Sequence, residues 1–467
     1  MSRLVTDLLD RAADRVPDSV AVVDGAGSWT YRELREKALD AAAWLAVRGA
    51  RPGDRVVVRV GNVREFVALL FGTLYRGAVV VPLNPAMKPY HVRSVLADAE
   101  PAVVVTDPAE IGTAARRPTV RVRPTDLAAL VYTSGSTSTP KGVISSHDAV
   151  LFATDAIASR LRYRADDVVL TALPLSFDYA LYQVFLAVSA GCSLVLSDVD
   201  APARLLGVIK DNGVTVVPVV PSLAGLLVRL AGRGEPPSSV RLFTNTGAAL
   251  APASAQQLRD AFPGARVVPM YGITECKRVT IAEPDRDLVK PGSVGTALPG
   301  TEVLIVDGAG APCPPGTVGQ IVVRGPHVMA GYWRAEELTA HRFPVPATLH
   351  TGDYGHLDAD GELFFEGRRD DLFKRRGVRM SAREVEAATL DIAGVTAAAV
   401  LPPGEHGDLA VVAVTGREPA EVLAGLRERL EDAKVPAVCR TVECLPLTPN
   451  GKTDLRALAE LLRSTGS

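Results

Sequence analysis

The chain has 467 residues, a formal net charge of −2, and 47% hydrophobic residues. This length exceeds what one compact core usually holds, so we expect two or more domains. The weak net charge excludes the basic field of a nucleic-acid-binding protein. The five cysteines lack disulfide or zinc spacing, and the N-terminus lacks a signal-peptide apolar run. We therefore expect a cytoplasmic protein with buried thiols.

The first elements follow from helix caps and apolar spacing. Thr6 is the predicted N-cap of a first helix, and Thr30 with Glu33 forms a capping box before a second helix that ends near Gly49. A third helical stretch covers residues 64–75. Short apolar strands alternate with the helices, which predicts a parallel sheet. The predicted strands are residues 55–60, 78–82, 102–106, 168–170, 193–196, 214–217, 242–244 and 267–270.

One uncharged stretch, residues 179–197, is about long enough to span a membrane. It contains several polar residues, and the Ala190–Gly191 step divides it into a helix-like half and a strand-like half. This pattern favours a buried helix and strand of an α/β core.

After Gly292 the pattern changes to short strands at residues 302–306 and 319–323, separated by glycine and proline turns. A turn at residues 358–361 predicts a hairpin, and a charged run follows it. We predict an α/β fold with a large N-terminal domain, residues 1–369, made of parallel α/β subdomains plus a small β-rich unit. Residues 370–467 are predicted to form a small α+β C-terminal domain.

A loop rich in serine, threonine and glycine runs from Tyr132 to Gly142 after an apolar strand end. Such a loop lets backbone N–H groups and hydroxyls surround phosphate oxygens, and Lys141 adds positive charge. It is not a Walker A loop, because proline precedes the lysine and glycine follows it. The alternative for a loop of this composition taken alone is a Ser/Thr linker.

Together with the later motifs, this loop resembles the adenylate-forming superfamily of acyl-CoA synthetases, nonribosomal peptide synthetase adenylation domains and firefly-type luciferases. The resemblance covers nearly the whole chain, in order. Ser138 departs from it, standing where the family usually has glycine. The resemblance implies ATP and Mg²⁺ as cofactors. The ATP-binding residues that it implies are Thr133, Ser134, Gly135, Ser136, Thr137, Lys141, Tyr271, Gly272, Asp353 and Arg368.

The segment from Tyr271 to Glu275 packs on adenine in the family, and the resemblance implies that Thr274 and Glu275 reach phosphate and Mg²⁺. Mg²⁺ takes few protein carboxylates and shares its shell with phosphates, which suits a single metal ligand, Glu275. Asp353 and Arg368 are implied to contact the ribose. For each of these side chains taken singly, the alternative to nucleotide binding is an ordinary role at the protein surface.

The resemblance also implies a moving C-terminal domain. Asp370 would be the hinge of this small mobile domain, since hinges absorb dihedral changes at domain boundaries. Lys452, which follows Pro449–Asn450–Gly451, would enter the site during adenylation. It would offset charge as a substrate carboxylate attacks the α-phosphorus of ATP in line. The implied catalytic residues are therefore Lys452, Glu275 and Thr274.

The segment Ser176–Phe177–Asp178 matches the place where amino-acid-activating domains bind the substrate ammonium. A buried carboxylate needs such a partner, although Asp178 is equally suited to cap the following helix. Tyr179, Tyr182 and Met270 would leave limited space in the substrate pocket, which favours a small amino acid. The implied substrate-binding residues are Asp178, Tyr179, Tyr182, Pro218, Thr246, Gly247, Met270 and Arg278.

Lys277 and Arg278 are less usual for the superfamily. We expect them to face solvent or the phosphopantetheine arm of a carrier protein. The alternative is that the two cations bind a second carboxylate of the substrate.

The predicted function is adenylation of a small amino acid and transfer to the phosphopantetheine thiol of a separate acyl or peptidyl carrier protein, as in stand-alone amino-acid adenylation enzymes. An acyl- or aryl-CoA synthetase, with CoA as acceptor, is the alternative. A non-catalytic ATP-binding interaction protein is a third reading, against which Lys452, Glu275 and Asp353 argue. No nucleic-acid or membrane partner is expected.

Overall fold

The computed structural model describes residues 3–112, 120–133, 140–197, 202–234, 236–368, 372–375, 378–404, 408–432, 434–448 and 452–463. The helices are α1 Thr6–Arg15, α2 Tyr31–Val47, α3 Arg64–Tyr75, α4 Pro89–Ala99, α5 His147–Leu161, α6 Asp178–Ala190, α7 Leu205–Asp211, α8 Pro221–Ala231, α9 Pro252–Ala261, α10 Glu336–Arg342, α11 Ala382–Leu390, α12 Pro419–Arg427 and α13 Leu455–Arg463.

Up to β12, most strands of the N-terminal part are separated by these helices. They are β1 Val20–Asp24, β2 Gly27–Thr30, β3 Arg55–Val58, β4 Val79–Pro82, β5 Val103–Val105, β6 Leu127–Thr133, β7 Lys141–Ser146, β8 Val168–Thr171, β9 Ser193–Leu196, β10 Val216–Val219, β11 Leu242–Asn245 and β12 Arg266–Tyr271. The later strands are β13 Thr280–Ile281, β14 Ser293–Ala297, β15 Glu302–Val306, β16 Gly319–Arg324, β17 Thr348–Leu357, β18 Glu362–Arg368, β19 Leu372–Arg375, β20 Val378–Ser381, β21 Ala397–Leu401, β22 Ala410–Val414 and β23 Val438–Val442.

Two sheets with parallel strands form the large core. One has the order β5-β3-β4-β6-β7, in which only the β7 pairing is antiparallel. The other contains β12-β11-β10-β8-β9-β1 as parallel neighbours. Strands β4, β10 and β11 in the middle of these sheets are buried at every position, as expected for sheets covered by helices. The predicted α/β class is confirmed.

The β-rich unit is antiparallel and continues the second sheet. Strand β12 pairs with β11 on one side and with β13 on the other, and the order runs on through β14, β18, β17 and β16 to β15. The predicted hairpin is present, because the turn at residues 358–361 joins β17 to β18. Strands β17 and β18, which carry Asp353 and Arg368, are therefore continuous with the parallel core.

Most local predictions hold, with one correction. Thr30 accepts a hydrogen bond from the Glu33 N–H, and the Glu33 carboxylate accepts one from the Thr30 N–H, which confirms the capping box. Thr6 is wrong as an N-cap, because α1 begins at Thr6 and its side chain is buried. Instead the Asp7 carboxylate accepts a hydrogen bond from the Leu4 N–H, 2.8 Å away.

The uncharged stretch of residues 179–197 forms most of α6 and then β9, both buried. The interpretation as a buried helix and strand is confirmed. Across the described ranges, no helix has both the length and the apolar character needed to cross a bilayer.

The C-terminal part packs around its own apolar clusters. One cluster includes Val385, Val411 and Leu426, and another includes Leu458 on α13. Strands β21, β22 and β23 form a separate sheet, beside the hairpin of β19 and β20. A boundary after residue 369 remains a prediction, because Asp370 lies outside the described residues.

Candidate active site

Several of the predicted site residues lie at or near the carboxyl ends of parallel strands, where open α/β sheets bind ligands. Pro218 lies in β10, Thr246 follows β11, and Tyr271 ends β12. Asp178 begins α6, which packs on the same sheet. The motifs, which are separate in the sequence, thus lie together around one cleft.

The phosphate loop is framed by two residues that the structure describes. Thr133 at the end of β6 pairs with Lys141 at the start of β7. The predicted loop residues between them, Ser134, Gly135, Ser136 and Thr137, lie outside the described residues, as does Ser138. Their roles remain predictions.

The nucleoside end of the site is built around Asp353, which is buried on β17. Its Oδ2 accepts a hydrogen bond of 2.7 Å from the Tyr271 hydroxyl, and the Arg368 Nε lies 3.3 Å from its Oδ1. Burial raises the pKa of Asp353, while Arg368 and Tyr271 oppose this change. Arg368 is directly across from Asp353 in the β17–β18 ladder, so the sheet register brings the two predicted ribose residues together.

The Tyr271 ring stacks on Phe365, with centroids 5.4 Å apart and planes 27° apart. This gives the predicted adenine end a flat aromatic wall. Phe365 is an addition to the predicted set, and only its place three residues before Arg368 in β18 was available as a sequence signal.

Gly272 allows the chain to turn sharply after β12. A Cβ at this position would lie 1.9 Å from the Lys277 carbonyl oxygen, so a larger residue would clash with the backbone. Lys277 has a positive φ of 61°, which is uncommon for a residue with a side chain. The turn directs the side chains of Lys277 and Arg278 into the protein, whereas the sequence predicted them at the surface.

Lys277 and Arg278 are buried, with 1% and 2% exposure, so the expectation that they face solvent or a carrier arm is wrong. Burial lowers the pKa of Lys277. Its Nζ lies 5.6 Å from the centroid of the Tyr182 ring and has no hydrogen-bond partner among the described residues. Such an unpaired buried cation is costly, and a ligand anion would offset that cost.

Asp178 faces this pair from the first turn of α6. Its Oδ2 lies 3.4 Å from Nη1 of Arg278, and its Oδ1 accepts a hydrogen bond of 3.3 Å from the Thr274 hydroxyl. The helix-cap alternative is not supported, because α6 begins at Asp178 itself and Phe177 occupies the N-cap position. Both contacts are long, so the carboxylate retains capacity to accept a shorter hydrogen bond from a ligand.

Three more buried polar atoms in the predicted pocket lack hydrogen-bond partners among the described residues: the Tyr182 hydroxyl, the Thr246 hydroxyl and Nε of Arg278. Buried polar groups are usually satisfied, so this concentration at one place indicates a polar ligand. Tyr179 differs, because its hydroxyl bonds both the carbonyl and hydroxyl oxygens of Thr244 within 2.7 Å. Its ring supports the Arg278 guanidinium, 4.6 Å from the centroid.

The remaining predicted pocket residues form the walls of the pocket. Pro218 and Met270 are buried. Gly247 has a positive φ of 82°, and a Cβ there would lie 3.1 Å from the Phe177 ring, so its small size keeps this side open.

Lys452 reaches this cleft from the C-terminal part. Its Nζ lies 5.7 Å from the centroid of the Phe177 ring, and its Cε is 3.9 Å from where a Cβ on Gly247 would stand. Burial of the ammonium and repulsion by Arg368 lower the pKa of Lys452, while the site carboxylates raise it. The residue as a whole is solvent-exposed, so screening by water limits this lowering. The predicted catalytic lysine therefore stands beside the predicted substrate pocket.

Glu275 is half-buried in the turn that follows β12, and its Oε1 accepts a hydrogen bond of 2.6 Å from the Tyr332 hydroxyl. No group of three His, Cys, Asp or Glu side chains within the described ranges is placed to hold a metal. One carboxylate suits Mg²⁺ that keeps waters and nucleotide oxygens in its shell. The residues present thus fit a nucleotide-bound magnesium ion.

This fold and cleft define an adenylate-forming enzyme, and comparison with known proteins agrees. Residues 9–333 match the family described as AMP-binding enzyme. The chain therefore belongs to this family, and the predicted class of AMP-forming ligase is confirmed.

Curated relatives include synthetases and ligases. The probable non-canonical nonribosomal peptide synthetase CymA of Salinispora arenicola is 32% identical over 98% of this chain, which spans 6% of that protein. The phenyloxazoline synthase MbtB of Mycobacterium sp. is 34% identical over 97% of this chain and 42% of that protein. The chain thus spans less than half the length of these relatives. The L-proline–[L-prolyl-carrier protein] ligase of Streptomyces coelicolor is 31% identical, over 93% of this chain and 92% of that protein.

Among solved structures, a complex of VinN with L-aspartate is 43% identical, with a TM-score of 0.72, and covers 78% of this chain and 99% of that chain. The ATP-bound RpMatB-BxBclM chimera B3 is 28% identical, with a TM-score of 0.87, over 99% of this chain and 100% of that chain. These similarities support the fold over its full length and ATP as the nucleotide.

Proposed function

We propose that this enzyme adenylates an amino dicarboxylic acid of the aspartate type and passes the aminoacyl group to the phosphopantetheine thiol of a carrier protein. The observation that carries the proposal is the buried group of Asp178, Lys277 and Arg278. It extends the predicted amino-acid substrate by a second carboxylate, the alternative that sequence analysis had left open.

The charges of this group match such a substrate. Two buried cations accompany one carboxylate, so the group of Asp178, Lys277 and Arg278 carries one excess positive charge. A substrate ammonium would pair with Asp178, and a carboxylate that does not react would pair with Lys277 and Arg278. A neutral side chain would leave the Lys277 ammonium desolvated and unpaired, which is unfavourable in a buried site. An acid without the amino group would leave Asp178 with only its two long contacts.

The reaction follows from the positions of the other residues. The reacting carboxylate of the substrate would lie towards Lys452, and one of its oxygens would attack the α-phosphorus of ATP. The bond from that phosphorus to the bridging oxygen breaks, giving aminoacyl-AMP and pyrophosphate. Lys452 would hold its ammonium where charge develops, and Asp353 with Arg368 would hold the ribose, so catalysis is mainly positioning and electrostatics. Magnesium bound at Glu275 would neutralise phosphate charge.

Two similarities support this substrate and acceptor. VinN has been solved with L-aspartate and with 3-methylaspartate, at 43% and 40% identity to this chain. The prolyl-carrier ligase of Streptomyces coelicolor is named for a carrier-protein acceptor. CoA is the competing acceptor, because a salicylyl-CoA synthase of Streptomyces sp. is 29% identical over 97% of this chain.

The test is ATP–pyrophosphate exchange with a matched set of acids: aspartate, 3-methylaspartate, alanine, β-alanine and succinate. Each of the last three lacks one charged group of aspartate. Leaving one buried charge without its partner costs about 2–5 kcal/mol, so we expect kcat/KM to fall at least ~30-fold for each of them. If alanine, β-alanine or succinate equals the amino dicarboxylates, the proposed substrate class is wrong. Thiolation assays with holo carrier protein and with CoA then separate the two acceptors.

A further inference from the structure

Tyr332 lies 57 residues after Glu275 in the chain, and its side chain contacts the Glu275 carboxylate. Its hydroxyl donates a hydrogen bond of 2.6 Å to Oε1 of Glu275. The Tyr332 residue is 7% exposed, and the described residues give Oε2 of Glu275 no hydrogen-bond partner. One carboxylate oxygen is therefore fixed by a phenol, while the other remains open to a ligand.

The backbone around Tyr332 holds this contact in place. The Met329 N–H donates to the Glu275 carbonyl, 2.9 Å away. On the other side, Val143 of β7 forms an antiparallel bridge with Tyr332, and the Trp333 N–H donates to the Gly142 carbonyl, 2.8 Å away. Residues 329–333 thus connect the strand that leaves the phosphate loop to the Glu275 turn.

Ring packing explains the aromatic ring at this position but not its hydroxyl. The Tyr332 ring meets Phe343 edge-on, with centroids 5.7 Å apart, and packs with Val143 and Met329. Phenylalanine would satisfy all of these contacts. A hydroxyl in an apolar setting needs a partner, and a carboxylate acceptor gives a short, charge-assisted bond.

We propose that Tyr332 is a positioning residue that orients the Glu275 carboxylate towards the divalent cation carried by the nucleotide phosphates. Residues 329–333 tie this orientation to Gly142 and Val143 in β7, the strand that leaves the phosphate loop. The proposal concerns metal–nucleotide binding and does not depend on which acid is adenylated.

The direct test is Tyr332→Phe, which removes only the hydroxyl. Partners that orient a metal ligand typically contribute 10- to 100-fold to metal affinity, so we expect binding of Mn²⁺ to the enzyme–ATP complex to weaken by about tenfold. Electron paramagnetic resonance of free Mn²⁺ measures this without turnover. The Mg²⁺ concentration for half-maximal pyrophosphate exchange should rise by a similar factor, with KM for the amino acid unchanged.

Tyr75→Phe is the matched control, because the Tyr75 hydroxyl also donates to a carboxylate, that of Asp10, at 2.6 Å, outside the cleft. It should leave Mn²⁺ binding unchanged. In a Glu275→Gln background, Tyr332→Phe should have no further effect on Mn²⁺ binding. The proposal is overturned if Tyr332→Phe lowers the melting temperature alone, or weakens metal binding equally with and without the Glu275 carboxylate. Because Mn²⁺ binding needs no acid substrate, this result is independent of the proposed function.

Discussion

Replacing Lys277 by methionine tests the anion-binding role of the buried cation pair. The Lys277 ammonium has no hydrogen-bond partner among the described residues, so its removal breaks no hydrogen bond there. Methionine has a similar length and can keep the apolar part of the packing around the Tyr182 ring. The cost of the substitution should therefore fall on the bound substrate and not on the free enzyme.

The size of the effect follows from the burial of the site. Losing one partner of a buried charge pair costs about 2–5 kcal/mol, which corresponds to ~30-fold or more in kcat/KM. We expect Lys277→Met to lower the aspartate-to-alanine ratio of kcat/KM in pyrophosphate exchange at least ~30-fold. The melting temperature should be unchanged or higher, because replacing a buried charge by an apolar group is often neutral or stabilising.

A matched control is Lys290→Met on the β-rich unit. The Lys290 ammonium pairs with Asp358 and Asp360 at 2.6 and 2.5 Å, outside the cleft. This variant should leave the aspartate-to-alanine ratio unchanged. If Lys277→Met lowers exchange equally with aspartate and alanine, or lowers stability without changing the ratio, Lys277 does not bind a substrate carboxylate.

Three further predictions concern other ionisable groups. Lys452→Ala should slow adenylate formation by ~10²–10³-fold and spare thiolation of preformed aminoacyl-adenylate, measured in separate half-reactions; equal losses would contradict a lysine that serves one half-reaction. Asp178→Asn should lower exchange with amino acids at least ~30-fold without changing ATP affinity by calorimetry; a fall in ATP affinity of the same size would refute an ammonium-binding role. Burial lowers the pKa of His327 from 6.5 to about 4, so the unfolded chain takes up a proton that the folded chain does not. Stability should thus fall between pH 6.5 and 4 by about 3 kcal/mol from this residue, and His327→Gln should remove that part of the pH dependence in urea unfolding; an unchanged pH dependence would contradict it.

The sequence predicted those features that depend on near neighbours in the chain. The capping box at Thr30 and the helix of residues 64–75 depend on spacing and appear as expected. Asp353 and Arg368 also meet as predicted, because both lie on one hairpin whose turn was recognisable. Thr6 failed as a cap because its side chain is buried, and a buried hydroxyl cannot be distinguished from a capping one by residue type.

The direction of side chains in the turn after β12 could not be predicted. Adjacent cations usually face water, and only the backbone turn at Gly272, with Lys277 in the left-handed region, directs them inward. Tyr332 was missed for a different reason. Its contact with Glu275 joins positions 57 residues apart, and no local pattern marks a tyrosine whose hydroxyl reaches another segment.

The most direct test of the central claim is a competition between acids in one reaction. The enzyme would receive ATP, Mg²⁺ and equal concentrations of aspartate, 3-methylaspartate, alanine, β-alanine and succinate, and hydroxylamine would trap each acyl-adenylate as a hydroxamate for mass spectrometry. The pairing of Asp178 with an ammonium and of Lys277 with a carboxylate predicts hydroxamates of the amino dicarboxylates in at least ~30-fold excess over the others. A dominant hydroxamate from succinate, alanine or β-alanine would contradict the proposed substrate class.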